Sequence, residues 1–113
     1  MNNDQIETIE MTAESAKQDL ELSRKLDTLI NNKEFDEIIT KGFFENEAIR
    51  LAQLTGEPGL QSEEDQKDLM NRIRAIGYLR QYFLFIRRKG HMAERALADC
   101  ERELEIVRNE ENH

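Results

Sequence analysis

The side chains of this 113-residue sequence that could do chemistry are two histidines, one cysteine and a large set of carboxylates. His91 and His113 do not form a pair at metal-ligand spacing, and no second Cys stands ready to complete a zinc or disulfide framework around Cys100. Cys100 falls on an apolar helical stripe, where a thiol serves as a small hydrophobic side chain. Gly56 and Gly59 flank Pro58 without the Lys-Ser/Thr partner or the preceding strand that a phosphate loop requires. The acidic residues are spread at helical spacing over solvent faces and do not converge on a carboxylate pair. Neither catalytic, cofactor-binding nor metal-binding residues are assigned, and a non-enzymatic protein is expected.

One segment has the composition of a binding surface. Residues 72–89 hold four of the seven aromatics, Tyr78, Tyr82, Phe83 and Phe85, among Arg72, Arg74, Arg80, Arg87, Arg88 and Lys89. Arginine interleaved with aromatic rings is what single-strand nucleic-acid sites use, rings for base stacking and cations for the phosphates. The same mixture suits a membrane surface. A third reading has the rings packing under Phe43 and Phe44 while the basic patch of Arg80, Arg87, Arg88 and Lys89 pairs with acidic helices. The charge distribution favours that third reading. Residues 1–69 carry a net −10, residues 70–98 a net +6 and residues 99–113 a net −4, so acidic ends would screen or occupy the basic waist.

The elements that must position these groups are helices. Ile6, Ile9, Ala13, Ala16 and Leu20 follow a 3-4-3-4 spacing that places them on one stripe of a helix over residues 1–31. The stripe then shifts to Leu22, Leu26, Leu29 and Ile30, leaving Ser23 and Asp27 at the old core positions. Asn31 and Asn32 end this helix or cap the next. Short helices are expected over residues 33–54: Phe35, Ile38 and Ile39 form one apolar face, and Gly42 stands where a left-handed C-terminal cap belongs. Phe43 to Leu54 then form a second helix, apolar on more than one side. Residues 55–61, Thr-Gly-Glu-Pro-Gly-Leu-Gln, are the strong break in the chain.

Ser62 is a candidate N-cap followed by acidic residues, opening a helix over 62–108, with a tail at 109–113. On it Leu69, Ile76, Leu79, Phe83, Ile86, Gly90, Ala93, Leu97, Cys100, Leu104 and Val107 occupy heptad a and d positions, interrupted only by Arg72. Unbroken, it would be about 70 Å long; Gly77 and Gly90 are the places where it could bend. Leu79, Phe83, Ile86, Gly90, Ala93, Leu97, Leu104 and Val107 form a seam able to bind another helix. Gly90 and Ala93, with Ala13 and Ala16, would let two backbones approach closely, antiparallel within a chain or between chains. The fold class is all-α: a single domain of three to four helices with a long heptad-patterned C-terminal helix, elongated or coiled-coil-like.

Composition agrees with this class. Charged residues make up 35% of the chain and there is one Pro and no Trp, which suits long helices. The longest apolar run, Tyr82 to Ile86, is far short of a membrane span, and the N-terminus lacks the basic and apolar regions of a secretory signal. Synthesis in the cytoplasm is expected.

The stretch from about Lys33 to Asp99 resembles a family of small helical proteins encoded by tailed bacteriophages. The resemblance rests on Glu34-Phe-Asp-Glu-Ile-Ile, Gly42-Phe-Phe, Glu47-Ala-Ile-Arg-Leu, Leu79-Arg-Gln-Tyr-Phe and Gly90-His-Met-Ala-Glu-Arg-Ala-Leu, and leaves the first thirty residues and the acidic tail outside. It implies a structural or assembly protein of the virion, made in the host cytoplasm, with a second copy or another phage structural protein as partner. It supplies no catalytic residues. Two other functions fit the residues: an early regulator that inhibits a host protein through its acidic surface, and a single-stranded nucleic-acid-binding protein using 72–89.

Overall fold

The computed structural model describes residues 3–112. Met1, Asn2 and His113, on which the leader reading and the histidine count partly draw, lie outside the described residues. Helices account for nearly all of the rest, and no strand occurs among the described residues. Helix α1 spans Asn3–Ile30. A helical run follows in three parts: α2 (Lys33–Phe35), a π-wound segment (Asp36–Glu47) and α3 (Ala48–Leu54). After a 3₁₀ turn at Pro58–Leu60 comes α4, Glu63–Glu111, 49 residues long and continuous through both Gly77 and Gly90.

The caps form where polar side chains stand at the boundaries. The Asn31 side-chain amide donates to the Asp27 carbonyl at 2.9 Å, closing α1, and the Phe35 amide donates to Asn32 Oδ1 at 2.9 Å, opening α2. The Asp65 amide donates to Ser62 Oγ at 3.0 Å, so Ser62 is the N-cap of α4. Between them the loop is tied down by the Gln66 amide, which donates to the carbonyls of Thr55 (3.0 Å) and Leu60 (2.8 Å).

Contacts divide the chain into two compact units, one made of the residues up to Leu26 with those from Phe85 onward, the other running from Asp27 to Leu84. In the first, α1 packs antiparallel on the second part of α4: Ser23 meets Gly90, Ala16 lines a cleft with Ala93, and Ile9 lines others with Cys100 and Val107. Of the small residues expected to approach closely, Ala16, Gly90 and Ala93 are buried and Ala13 is half-buried, with Ser23, not expected there, joining them; the close antiparallel approach occurs within the chain.

The expected slip of the α1 stripe is found in part. Leu26 is buried and Ile30 half-buried, as the rotated stripe requires, but Ser23 is buried too, continuing Ile9 and Ala16 at intervals of seven, while Leu22 and Leu29 remain 47% and 45% exposed. Ser23 keeps its place in the seam because a Cβ at position 90 would fall on its Oγ and Cβ. Glycine on one helix and a two-atom side chain on the other set the helix separation, and a leucine on α1 would not fit there.

The second unit has its core at Leu51, Leu69 and Ile76, flanked by Phe43, Phe44, Ala48, Leu54, Leu60 and Ile73. Phe83 joins it through ring contacts with Phe35 (6.0 Å between centroids) and Phe44 (5.6 Å, edge to face). The apolar coverage of α3 is one-sided, contrary to the broader burial expected: Leu51 is 2% exposed, Ile49 is 56% exposed, and Ala52 faces solvent. Ile38 likewise points outward, at 67%.

Gly42 is not a left-handed cap. No glycine among the described residues has positive φ, and Gly42 lies inside the π-wound segment. Wider winding pairs each residue with the fifth before it, which is why Lys41 Nζ reaches Asp36 Oδ2 at 3.2 Å. A Cβ at Gly42 would stand 2.9 Å from the Glu37 carbonyl oxygen, also five residues back. Gly42→Ala therefore lacks the gain of about 1 kcal/mol that alanine brings to an ordinary helix interior. A loss of about 1 kcal/mol, read by urea denaturation, is expected from the overpacking.

Candidate interaction face

Every a and d residue assigned to the α4 seam is at least half-buried. Ile86, Gly90, Ala93, Cys100 and Val107 are buried; Leu79, Phe83, Leu97 and Leu104 are half-buried; Arg72, the one interruption, is exposed. The neighbours of Gly90, Ala93 and Val107 include α1 of the same chain, and those of Phe83 include Phe35 and Phe44.

The basic patch stands on the outside of α4, with Arg80, Arg87, Arg88 and Lys89 all exposed. Lys89 Nζ lies 3.4 Å from Asp19 Oδ1 and 5.3 Å from the centre of the Phe85 ring, so one cation is held by an acidic group of α1 and by a ring face. Of the four aromatics in 72–89, Phe83 alone packs into the core of its unit, against Phe35 and Phe44. Tyr78 is 71% exposed, Tyr82 53% and Phe85 51%.

This second surface was readable as a pattern of its own. Positions 78, 82, 85, 89 and 92 recur at 4-3-4-3 spacing, offset from the buried heptad stripe, with Arg74, Arg88, Arg95 and Arg102 on the adjoining line. Hydropathy does not separate it from the seam, because Tyr, Phe and Met score as core residues.

In the Asp27–Leu84 unit a cleft is lined by Phe43, Leu51, Ala75 and Ile76, with Glu47 and Arg72 beside them. Arg50 donates to both carboxylate oxygens of Glu47, Nε to Oε1 at 3.1 Å and to Oε2 at 3.2 Å, and Nη2 also meets Oε1. That hydrogen bonding holds the Glu47 carboxyl below the ordinary carboxylate value, with the Arg50 and Arg72 charges acting in the same sense against its desolvation. Arg72 is also paired to Asp68 at 3.1 Å. The pairing makes this an ordered surface without making it a general acid or base, since each charge already has its counter-ion.

Among the described residues no group of three or more His, Cys, Asp or Glu side chains gathers to hold a metal, and no helix is long and apolar enough to cross a membrane. Comparison with protein-family models, with curated proteins and with solved structures finds no match. This surface presents apolar side chains to solvent, exposed tyrosine rings and cations beside them.

Proposed function

We propose that the chain acts non-enzymatically, as a structural or assembly protein of a tailed bacteriophage, binding through helix faces. The observation that supports the binding role is the exposure of Met11, Phe85, Met92 and Ile106 on a pair of helices whose seam is already filled. Large apolar side chains concentrated on one surface mark sites of association. The phage setting rests on the resemblance of residues 33–99. The test is mass spectrometry of particles purified from the source of the chain through successive density gradients. Retention at constant stoichiometry is the expected result, and loss of the chain during purification contradicts a virion role and favours the early regulator.

A single-stranded nucleic-acid reading is favoured by one specific observation, the exposure of both Tyr78 and Tyr82 beside Arg74 and Arg80. Open ring faces next to cations are what base stacking uses, at about 1 to 3 kcal/mol per base. Fluorescence anisotropy with a labelled oligonucleotide at two salt concentrations decides the matter. On the assembly reading, binding is weak and collapses with salt. Submicromolar binding at about 0.15 M salt that drops in Tyr78→Ala or Tyr82→Ala would replace the assembly reading with this one.

A further inference from the structure

The two flanks of the α1/α4 helix pair differ in where their large apolar side chains stand, although Asp19, Lys89, Glu103 and Glu110 line the clefts of the second. On one, positions 87, 94, 101 and 108 of α4 are Arg, Glu, Glu and Arg, and positions 10, 17 and 24 of α1 are Glu, Lys and Arg, so every seventh residue carries a charge. On the other, α4 presents Phe85, Met92, Asp99 and Ile106 at the same interval, and α1 presents Met11, Ser15 and Leu22. All five large hydrophobic side chains exposed in this unit, Met11, Leu22, Phe85, Met92 and Ile106, lie on that second flank. Its surface is furrowed along its length: the clefts lined by Met11 with Met92, by Thr8 with Asp99, and by Gln5 with Ile106 all open there.

We infer that this flank binds a second copy of the same chain, with α4 antiparallel to its counterpart about a two-fold axis passing between Met92 and Ala96. This rests on the proposed role in helix-mediated binding and names its partner. Two features of the flank fit it to itself. The large Met92 of one copy meets the small Ala96 of the other, across the open cleft that both residues line. The same rotation brings Lys89 of one copy to Asp99 of the other, since both pairs of positions are centred on residue 94 of α4. Lys89 and Asp99 are exposed, and their present partners, Asp19 at 3.4 Å and Arg102 at 3.2 Å, are surface contacts that do not prevent the exchange. The interface is isologous, so each contact is made twice.

The available area lies at the lower end of what specific interfaces bury, about 1,200 Å² counted over both partners. From Phe85 to Ile106 the flank is about 30 Å long and two helices are about 20 Å wide, giving about 600 Å² per copy. A standard-size interface buries about 800 Å² per partner.

Sedimentation equilibrium of the full chain at micromolar concentrations is the test, with far-UV circular dichroism confirming that each variant stays helical. The wild type is expected to dimerise. Lys89→Asp and Asp99→Lys should each weaken the dimer at least tenfold, and the two together should restore it, because the swapped charges again face each other. Glu101→Lys, on the charged flank, should leave it unchanged. A wild type that is monomeric throughout, a dimer indifferent to either reversal, or a double variant that stays as weak as the singles overturns the inference. Its failure is separable from that of the assembly role: a monomer retained on purified particles sinks the dimer alone, and a dimer absent from particles sinks the virion role alone.

Discussion

Gly90→Ala is expected to destabilise the protein by about 1 to 3 kcal/mol, although alanine is favoured over glycine in a helix by about 1 kcal/mol. The added Cβ falls on Ser23 Oγ and Cβ, with the Ser23 Cα also within 3.9 Å, so the two helices must part or a turn must shift. Ser23→Ala in the same chain should not restore stability, since the Ser23 Cβ is itself in the way; Ser23→Gly should restore part of it. The four stabilities form a double-mutant cycle whose coupling reads the contact directly. Gly77→Ala supplies the internal control. A Cβ there meets nothing within 4 Å, so the same substitution in the same helix should stabilise by about 0.5 to 1 kcal/mol. Opposite signs at two glycines of one helix, measured by urea denaturation, are the signature of close packing at one and open solvent at the other. Equal signs would mean that α1 does not lie against Gly90.

The second large effect is expected at Leu51. It is the most deeply buried side chain among the described residues, at 2% exposure, and joins Leu69 and Ile76 at the centre of the Asp27–Leu84 unit. Leu51→Ala removes apolar atoms and leaves a cavity walled by phenylalanines, at a cost of about 2 to 5 kcal/mol. Ile49, two residues away on the same short helix, is 56% exposed, and Ile49→Ala should change stability by less than about 0.5 kcal/mol. Thermal or urea denaturation of both variants, followed by circular dichroism, checks the contrast. Comparable losses at the two positions would show that α3 presents a different face to α4.

Much of this architecture was legible because hydrophobic spacing is a strong signal when the side chains are large. The α4 seam could be read at Leu69, Ile76, Phe83, Ile86, Leu97, Leu104 and Val107, and every one of those positions is at least half-buried. The reading failed where shape outweighs hydropathy. Hydropathy ranks Ser23 below Leu22 and Leu29 as a core residue, yet Ser23 is the buried one, seated against the bare backbone of Gly90. Gly42 has the usual credentials of a helix cap, and nothing local marks the π winding in which its missing Cβ matters.

The candidate site was legible in composition and not in orientation. The basic-aromatic character of 72–89 is plain from the residues, but whether a ring turns inward depends on its helical register against the seam. Phe83 is in the seam and packs, while Tyr78, Tyr82 and Phe85 fall outside it and stay exposed. Assigning each aromatic to its heptad position would have sorted them. The pairing of Glu47 with Arg50 was also within reach, as an i, i+3 pair on one helical run.

The central claim is that α1 of the same chain closes the α4 seam from Gly90 to Val107, which leaves a flank of that helix pair to do the binding. Ile9 and Cys100 are both buried in this seam and line a common cleft. An Ile9→Cys variant, with the native Cys100 as second thiol, treated with a short thiol-specific crosslinker and resolved by mass spectrometry, tests the claim directly. A bridge within single chains, formed equally well at every protein concentration, is the predicted result; bridges that join two chains and increase with concentration would place another copy in the seam and contradict the account.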